Sequence, residues 1–437
     1  MKSEDVHESE ENAQNRMFVA GTSLRWTWLQ EKIRASLKTT AKFGQNFVYE
    51  RIGIGQGYMS LIERVHPNWT EADERLPQTF IVKIPSTEPS RRAVASAKER
   101  SNYFSGTDYD TFFVELERTV QHYHHTEISF YEMVKTNHLR LKIPKAYLLQ
   151  RPDSENSQGV IIMEDIGEDS TVFATYDNLT PEDMYQIMDE LAELHRFCME
   201  CTEWTTLRGL SLASSIRHHD QRQVMLAMFK AMQHLDEQTL TPLIDQIIST
   251  HWDNLCNNSQ VFENLHRIVG LPPVLVHGDL RSTNVIWKRH NKRNTLAAII
   301  DWQMAHSGCA VEDIARILIC SLSSSDRRRH WRDVVAYYYN KLEEKIGRKL
   351  PFPLNKIERS FILIYPIALI TTASSFGPGM REEIEANHPE RRDELLEIMR
   401  DKALGIAEDV IHFVSMNPYL GDQTVMAKTL IVGQKSL

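Results

Sequence analysis

The sequence predicts an α+β fold in two lobes of unequal size, a small antiparallel-sheet N-lobe and a larger, mostly helical C-lobe. Three observations predict it. Strand-like runs crowd residues 47–163, helix-like apolar spacing dominates from Thr180 onward, and the texture changes at 164–169. The lobes are therefore drawn as 21–165 and 166–437, behind a polar, acidic-leaning tail at 1–20 with almost nothing to bury. The 437 residues, 42% hydrophobic and 25% charged, supply ample material for a core in each lobe.

The elements follow in order. Residues 47–53 read as a strand, Gly53, Gly55 and Gly57 as a flexible tip, and 58–65 as the return strand. Residues 79–85 add a third β-rich run, completing an antiparallel meander. Residues 86–110 are polar and read as a loop or a loosely held helix. Over 111–135, Phe112, Phe113, Leu116, Val120, Ile128, Tyr131 and Val134 share much of one helical face. Two further apolar runs, 143–149 and 159–163, give the order β-β-β-α-β-β.

Thr180-Pro-Glu-Asp183 then places a capping threonine before a proline at the first helical position, with acids in the first turn. That helix extends to about Glu200, and a second long helical stretch covers 222–254. Two short apolar runs at 274–276 and 296–300 interrupt the helices, which resume from Ile314. The apolar run 361–370 is too short for a bilayer, which needs about 20 residues. It reads as a buried helix kinked or started by Pro366.

Composition excludes several classes. Fifty Lys and Arg against 59 Asp and Glu leave a net charge of −9, which argues against a nucleic-acid partner. Five cysteines (Cys198, Cys201, Cys256, Cys309 and Cys320) make no disulfide framework and suit a reducing, cytoplasmic setting. Cys198 and Cys201 lack the second ligand pair that a zinc site wants. Nothing in the sequence specifies an oligomeric state.

The chemistry concentrates in Val276-His-Gly-Asp-Leu-Arg-Ser-Thr-Asn284 and Ile299-Ile-Asp-Trp-Gln303. Asp279 stands five residues before Asn284 and 22 before Asp301, which ends an apolar run. Phosphoryl transfer needs one carboxylate to accept or orient the proton of the attacking hydroxyl. It also needs an amide oxygen and a second carboxylate to hold Mg²⁺ against the phosphates. Asp279 suits the first task, Asn284 and Asp301 the second; the plainer reading is a turn motif that orders a loop.

The first half offers the remaining parts. Gly53, Gly55 and Gly57 can lay backbone N–H groups over phosphates, or form an ordinary hairpin turn. Lys83 interrupts the apolar run Phe80-Ile-Val-Lys-Ile84. Buried, it needs a partner; on an edge strand it would reach solvent. Glu127 on the long helix is the natural counter-ion, with Glu115, Glu117 and Glu132 as alternatives. A strand lysine paired with a glutamate on the following helix is the kinase arrangement for the nucleotide phosphates. Glu164, Asp165 and Ile166 would form a hinge whose backbone contacts adenine.

These segments, with Glu127-Ile-Ser-Phe-Tyr131, Ala192-Glu-Leu-His195 and Val311-Glu-Asp-Ile-Ala-Arg316, resemble the kinase-like superfamily of choline kinases and aminoglycoside phosphotransferases. Within it the chain resembles the CHK (ecdysteroid-kinase-like) proteins, and above all their nematode branch. The resemblance implies a bilobal protein-kinase-like fold, with ATP and Mg²⁺ as cosubstrates. It also implies transfer of the γ-phosphate to a hydroxyl of a small molecule, of which a steroid or other lipophilic alcohol is one class. It maps catalysis onto Asp279, with Lys83 and Glu127, metal binding onto Asn284 and Asp301, and a bracing role onto Asp313.

One departure is Arg281, where relatives often carry tryptophan; it contacts phosphate or a charged substrate, or faces solvent. Two other functions stay open. One is a catalytically idle protein that binds nucleotide or another ligand. The other is a protein kinase, for which the twelve-residue step from Asp301 to Asp313 leaves little room for a peptide platform. His122, His124, His125, the pair His218-His219 and His195 read as packing or surface histidines, and 326–330 as a solvated helix start.

Overall fold

The computed structural model describes residues 18–19, 21–53, 57–100, 109–154, 158–211, 213, 216, 219–291, 293–377, 379–417 and 420. The tail expected at 1–20 falls largely outside them, as do Gly55 and His218. The fold is α+β with two compact units, a smaller one built on an antiparallel sheet and a larger, mostly helical one. The first unit runs to Tyr131 and resumes over Pro144–Gly167; the second takes Glu132–Ile143 and the described residues from Glu168 on.

The first unit opens with helix α1, Trp26–Leu37. Strands β1 (Val48–Arg51), β2 (Ser60–His66) and β3 (Phe80–Pro85) form the expected meander. Helices α2 (Glu88–Arg100) and α3 (Tyr109–Thr136) follow, then β4 (Ala146–Gln150) and β5 (Val160–Glu164). The sheet order is β1-β2-β3-β5-β4, antiparallel throughout. Helices α1 and α2 extend the expected order. The apolar stripe of α1 is narrow, Trp26, Leu29 and Ile33, and that of α2 is diluted by charge.

The two-residue period of the strands sorts their side chains. Phe80, Val82, Ile84, Val160 and Ile162 share a core with Trp26, Leu29 and Ile33 of α1. The alternate residues Ile81, Ile161 and Met163 pack with Ile128 of α3. Lys83 belongs to this second set by parity, so its side chain leaves the sheet on the α3 face.

In the second unit, β6 (Ser170–Val172) pairs with β8 (Val285–His290), which pairs with β9 (Arg293–Ile299). Strand β7 (Val274–Val276) pairs with β10 (His306–Gly308). Helix α4 (Pro181–Glu200) begins with the expected cap: Asp183 N–H donates to Thr180 Oγ1 at 3.2 Å, and Thr180 N–H to Asp183 Oδ2 at 2.9 Å.

The stretch expected as one long helix at 222–254 is instead broken. Helix α5 (His219–Ala231) ends in a 3-10 turn, and Asp236 caps a new helix α6 (Glu237–Ile247) by accepting the Thr239 N–H. Short helical turns follow through Val269. Then come α7 (Val311–Ser321), α8 (Ser324–Ile346), α9 (Leu354–Thr372), α10 (Gly379–Asn387) and α11 (Arg392–Ser415).

Pro366 does not start α9 but lies inside it, where the surrounding apolar residues are buried and packing outweighs the missing N–H. Lys402 of α11 is fully buried and donates to the carbonyls of Thr175, Asp177 and Cys320 at 2.6–2.9 Å. It thereby ties α11 to the end of α7 and to the segment before α4. Among the described residues no helix is long and apolar enough to cross a membrane.

Candidate active site

The sequence-derived residues fall into two groups, one in each unit. In the first, Lys83 Nζ donates to Glu127 Oε2 at 2.5 Å, with Lys83 8% and Glu127 1% exposed. Strand β3 is interior, paired on both sides, so the reading of Lys83 as an edge-strand lysine is overturned. Ile128 of α3 packs on the sheet, and the preceding Glu127 is buried and meets the lysine that leaves the sheet on that side. One turn earlier, His124 is buried and its Nε2 meets Gln150 O at 3.1 Å. Burial pushes its imidazole down to about 4, so it is a neutral packing group.

At the tip of the β1–β2 hairpin, Gly53 has φ +65° and Gly57 is exposed; a Cβ at either would meet nothing within 4 Å. The space there is open, as a backbone that covers phosphates requires. At the expected hinge, Glu164 N–H donates to Lys145 O, and Glu164 Oε2 accepts from Lys145 N–H. Asp165 accepts from Arg64 Nε at 2.8 Å and from Gly167 N–H at 3.2 Å. The Glu164 amide and the Asp165 carboxylate are thus engaged in building the turn.

In the second unit, buried β7 runs into the loop that carries Asp279. Asp313, in the first turn of α7, accepts the N–H groups of His277 and Gly278 at 2.6 and 3.0 Å. It is the brace that the sequence suggested. Burial holds its carboxyl above the ordinary value, against the pull of His277 and the two amides. Asp279 N–H donates to His277 Nδ1 at 3.2 Å, which leaves the proton on Nε2 to donate to Ile300 O at 2.8 Å. Gly278 has φ +84°, and a Cβ there would stand 2.6 Å from Met304 O. Glycine is required at that turn.

The Asp279 carboxylate is held from three directions. Arg316 gives Nη2–H and Nε–H to Oδ1 at 2.6 and 3.0 Å. Asn284 Nδ2 donates to the Asp279 carbonyl at 2.8 Å and lies 3.3 Å from Oδ2. Arg281 Nε stands 3.6 Å from Oδ2. Burial alone would raise this carboxyl, but the guanidiniums of Arg281 and Arg316 outweigh it and hold it below its ordinary value. Arg281 does not face solvent, since its side chain is only 20% exposed and turned onto Asp279.

Arg316 is the functional residue that reading the sequence missed. It follows Asp313 by three residues on α7, so one helix face grips three consecutive loop residues. Its signal was a lone cation in the apolar run Ile314–Ile319, which must be paired if buried.

Asp301 follows β9 with φ +68° and ψ +52°, a left-handed conformation that aspartate tolerates better than most residues. Gln303 Nε2 donates to its Oδ2 at 3.2 Å. Asn284 spends Nδ2 on Asp279, so Oδ1 is its remaining acceptor. An amide oxygen and a carboxylate form an oxygen donor set that fits Mg²⁺.

Three comparisons bear on this chain. The family model DUF1679, described as "Uncharacterized oxidoreductase dhs-27", matches residues 18–418. The Caenorhabditis elegans protein of that description is 25% identical over 314 residues, covering 70% of this chain and 36% of the relative. "Uncharacterized kinase-like protein D1044.1", also from Caenorhabditis elegans, is 27% identical over 154 residues, covering 34% of this chain and 40% of the relative. The matches thus span well under half of the length of either relative.

Among solved structures, Plasmodium vivax ethanolamine kinase aligns at 12% identity and TM-score 0.42, over 93% of this chain and 96% of its own. The GDP complex of aminoglycoside 2'-phosphotransferase-IIIa aligns at 14% identity and TM-score 0.41, over 86% of this chain and 98% of its own.

Proposed function

The chain belongs to the DUF1679 family, and on that premise we propose an ATP- and Mg²⁺-dependent phosphotransferase that moves the γ-phosphate to a hydroxyl of a small molecule. By its motifs we read it as a CHK-like kinase. The observation that carries the reading is the buried Lys83–Glu127 pair. Burying two charges gains little stability over a well-packed apolar pair, so its retention asks for a use. Holding an ammonium ready for nucleotide phosphates is such a use.

On this reading the roles divide between the two groups of residues. Lys83, fixed by Glu127, binds the α- and β-phosphates, and the backbone at Gly53 and Gly57 covers them. The hinge at 164–166 offers a carbonyl and an N–H to adenine. Asp279 Oδ2 orients the acceptor hydroxyl and takes its proton as its oxygen bonds to the γ-phosphorus. The bond from that phosphorus to the β,γ-bridging oxygen breaks, and ADP leaves with the electron pair. Asn284 and Asp301 would hold Mg²⁺, which, when bound, offsets phosphate charge. Positioning and electrostatics supply most of the acceleration.

The word oxidoreductase belongs to the relative. In this chain every strand pairing among the described residues is antiparallel, whereas the dinucleotide-binding βαβ unit needs parallel strands. All five cysteines are free, which suits the reducing cytoplasm in which we place the protein.

The test is calorimetric titration with MgATP, alongside transfer of labelled γ-phosphate into extract metabolites. Binding with transfer supports the kinase. Binding without transfer identifies an idle nucleotide-binding protein, and absence of both defeats the reading.

A further inference from the structure

We propose that His306, held as an imidazolium between the Met304 carbonyl and the Glu312 carboxylate, is a positioning residue for the turn at Gly278 and Asp279, and that transfer fails when its ring sheds a proton. This rests on the phosphotransferase reading and adds a pH control to it.

Both ring nitrogens of His306 face acceptors. Nδ1 lies 2.8 Å from Met304 O, and Nε2 lies 3.3 Å from Glu312 Oε2. A carbonyl oxygen has no proton to give, so Nδ1 carries one. Glu312 is a carboxylate: its Oε1 accepts the Cys309 N–H at 2.7 Å, and its side chain keeps contact with water. Nε2 therefore donates as well, and a ring that donates from both nitrogens is the cation. His306 is buried, where a charge persists only when paired and hydrogen-bonded.

The groups around the ring favour that state. Glu312 and Asp313 of α7 are both acids that raise it. His277, whose N–H Asp313 accepts, is kept neutral by its own hydrogen bonds. His266, in the short turn Leu265–Val269, also feels the Glu312 charge, but burial pushes its imidazole down and it is neutral too. Burial alone would lower the His306 imidazole. Glu312, the Met304 carbonyl and Asp313 outweigh it and hold the ring above its ordinary value.

The ring sits under the catalytic turn. Strand β10 pairs with β7 so that His306 stands opposite Val276, the residue before the loop. A Cβ at Gly278 would stand 3.0 Å from His306 Nδ1 and 2.6 Å from Met304 O. The turn thus rests on the ring and on the carbonyl that the ring holds. Consecutive acids of α7 act on its two sides, Glu312 on His306 and the Cys309 amide, Asp313 on the amides of His277 and Gly278. Loss of one ring proton to solvent leaves either Met304 O or Glu312 Oε2 without its donor. The support of Gly278 then shifts, and Asp279 moves with it. The folded ring titrates above the unfolded value of 6.5, so the support is complete below pH 6.5 and is lost as pH rises through the folded midpoint.

The experiment follows the ring signals of the full chain, labelled with ¹⁵N-histidine, by NMR from pH 6 to 9.5. The His306 signals are identified by their absence in His306→Gln. On the same preparations, transfer of labelled γ-phosphate from saturating MgATP to extract metabolites is measured at each pH. The expected result is a ring midpoint above 6.5, with transfer falling about tenfold or more past that midpoint and MgATP affinity within twofold. In Glu312→Gln the amide donates to a neutral Nε2, so both contacts survive without the second ring proton. Transfer by that variant should no longer fall over the range.

A ring midpoint at or below 6.5 overturns the proposal. So does an E312Q profile that falls as steeply as wild type. Flat transfer by the unmodified protein overturns it even if neither variant folds, and leaves the phosphotransferase reading standing. Transfer at no pH defeats that reading, and the role of His306 falls with it.

Discussion

Arg316 and Asp279 meet through two hydrogen bonds on a single carboxylate oxygen, Nη2 at 2.6 Å and Nε at 3.0 Å from Oδ1. The contact fixes the carboxylate plane, and in the proposed mechanism Oδ2, which also faces Asn284 Nδ2 at 3.3 Å, is the edge that meets the acceptor hydroxyl. Arg316→Met should cost about 3 kcal/mol in urea unfolding, because it strips a largely buried carboxylate of its main partner. Arg316→Lys keeps the charge but not the two-bond fork, and should fall between. Equal stability of wild type and R316M would show that the contact contributes nothing.

Lys83 and Glu127 should behave as a coupled pair. Either Lys83→Met or Glu127→Gln alone should destabilise by roughly 3–5 kcal/mol, since each leaves its partner charged or polar in the interior. The double variant Lys83→Met/Glu127→Gln should be more stable than the sum of the singles predicts, by about 1 kcal/mol or more. Denaturant titration of the four proteins gives the cycle, and strict additivity would argue against direct coupling.

Gly278 should tolerate no side chain. At φ +84° an alanine is strained, and its Cβ would press on the carbonyl oxygen of Met304. Gly278→Ala is expected to cost about 2 kcal/mol and to displace Asp279, lowering turnover more than MgATP affinity. Gly53→Ala is the control, with positive φ and open space, and should cost about 1 kcal/mol.

The sequence disclosed what is local and chemically costly. The loop from His277 to Asn284 was legible because its polar residues stand at a spacing that phosphoryl transfer uses, and a short loop keeps sequence neighbours together in space. The Lys83–Glu127 contact was legible because a lysine inside an apolar strand needs an acid. Arg316 was not, because its partner lies 37 residues away, and an apolar helix says only that its cation is paired, not with which acid. The breaks within 222–254 were hidden because Asp236, which caps α6, looks like any polar residue on a solvated helical face.

His195 gives a pH signature. Burial pushes its imidazole down to about 3, and its Nδ1 meets Tyr338 Oη at 2.7 Å. The unfolded chain protonates near its ordinary value of 6.5, the native state only near 3, so acid favours unfolding. The stability from His195 is therefore full above pH 6.5 and is lost as pH falls toward 3, at up to ~1.4 kcal/mol per pH unit. Urea midpoints at pH 7.5, 6 and 5 should fall less steeply in His195→Phe than in wild type. Parallel slopes would mean that His195 titrates normally when folded.

The account stands most directly on Asp279. Wild type and Asp279→Asn should be compared for transfer of labelled γ-phosphate from ATP to extract metabolites, with MgATP affinity measured on the same preparations. The account expects transfer by wild type and a loss of about 10²–10⁴-fold in the variant, with MgATP affinity within threefold. Near-normal transfer by D279N would contradict it.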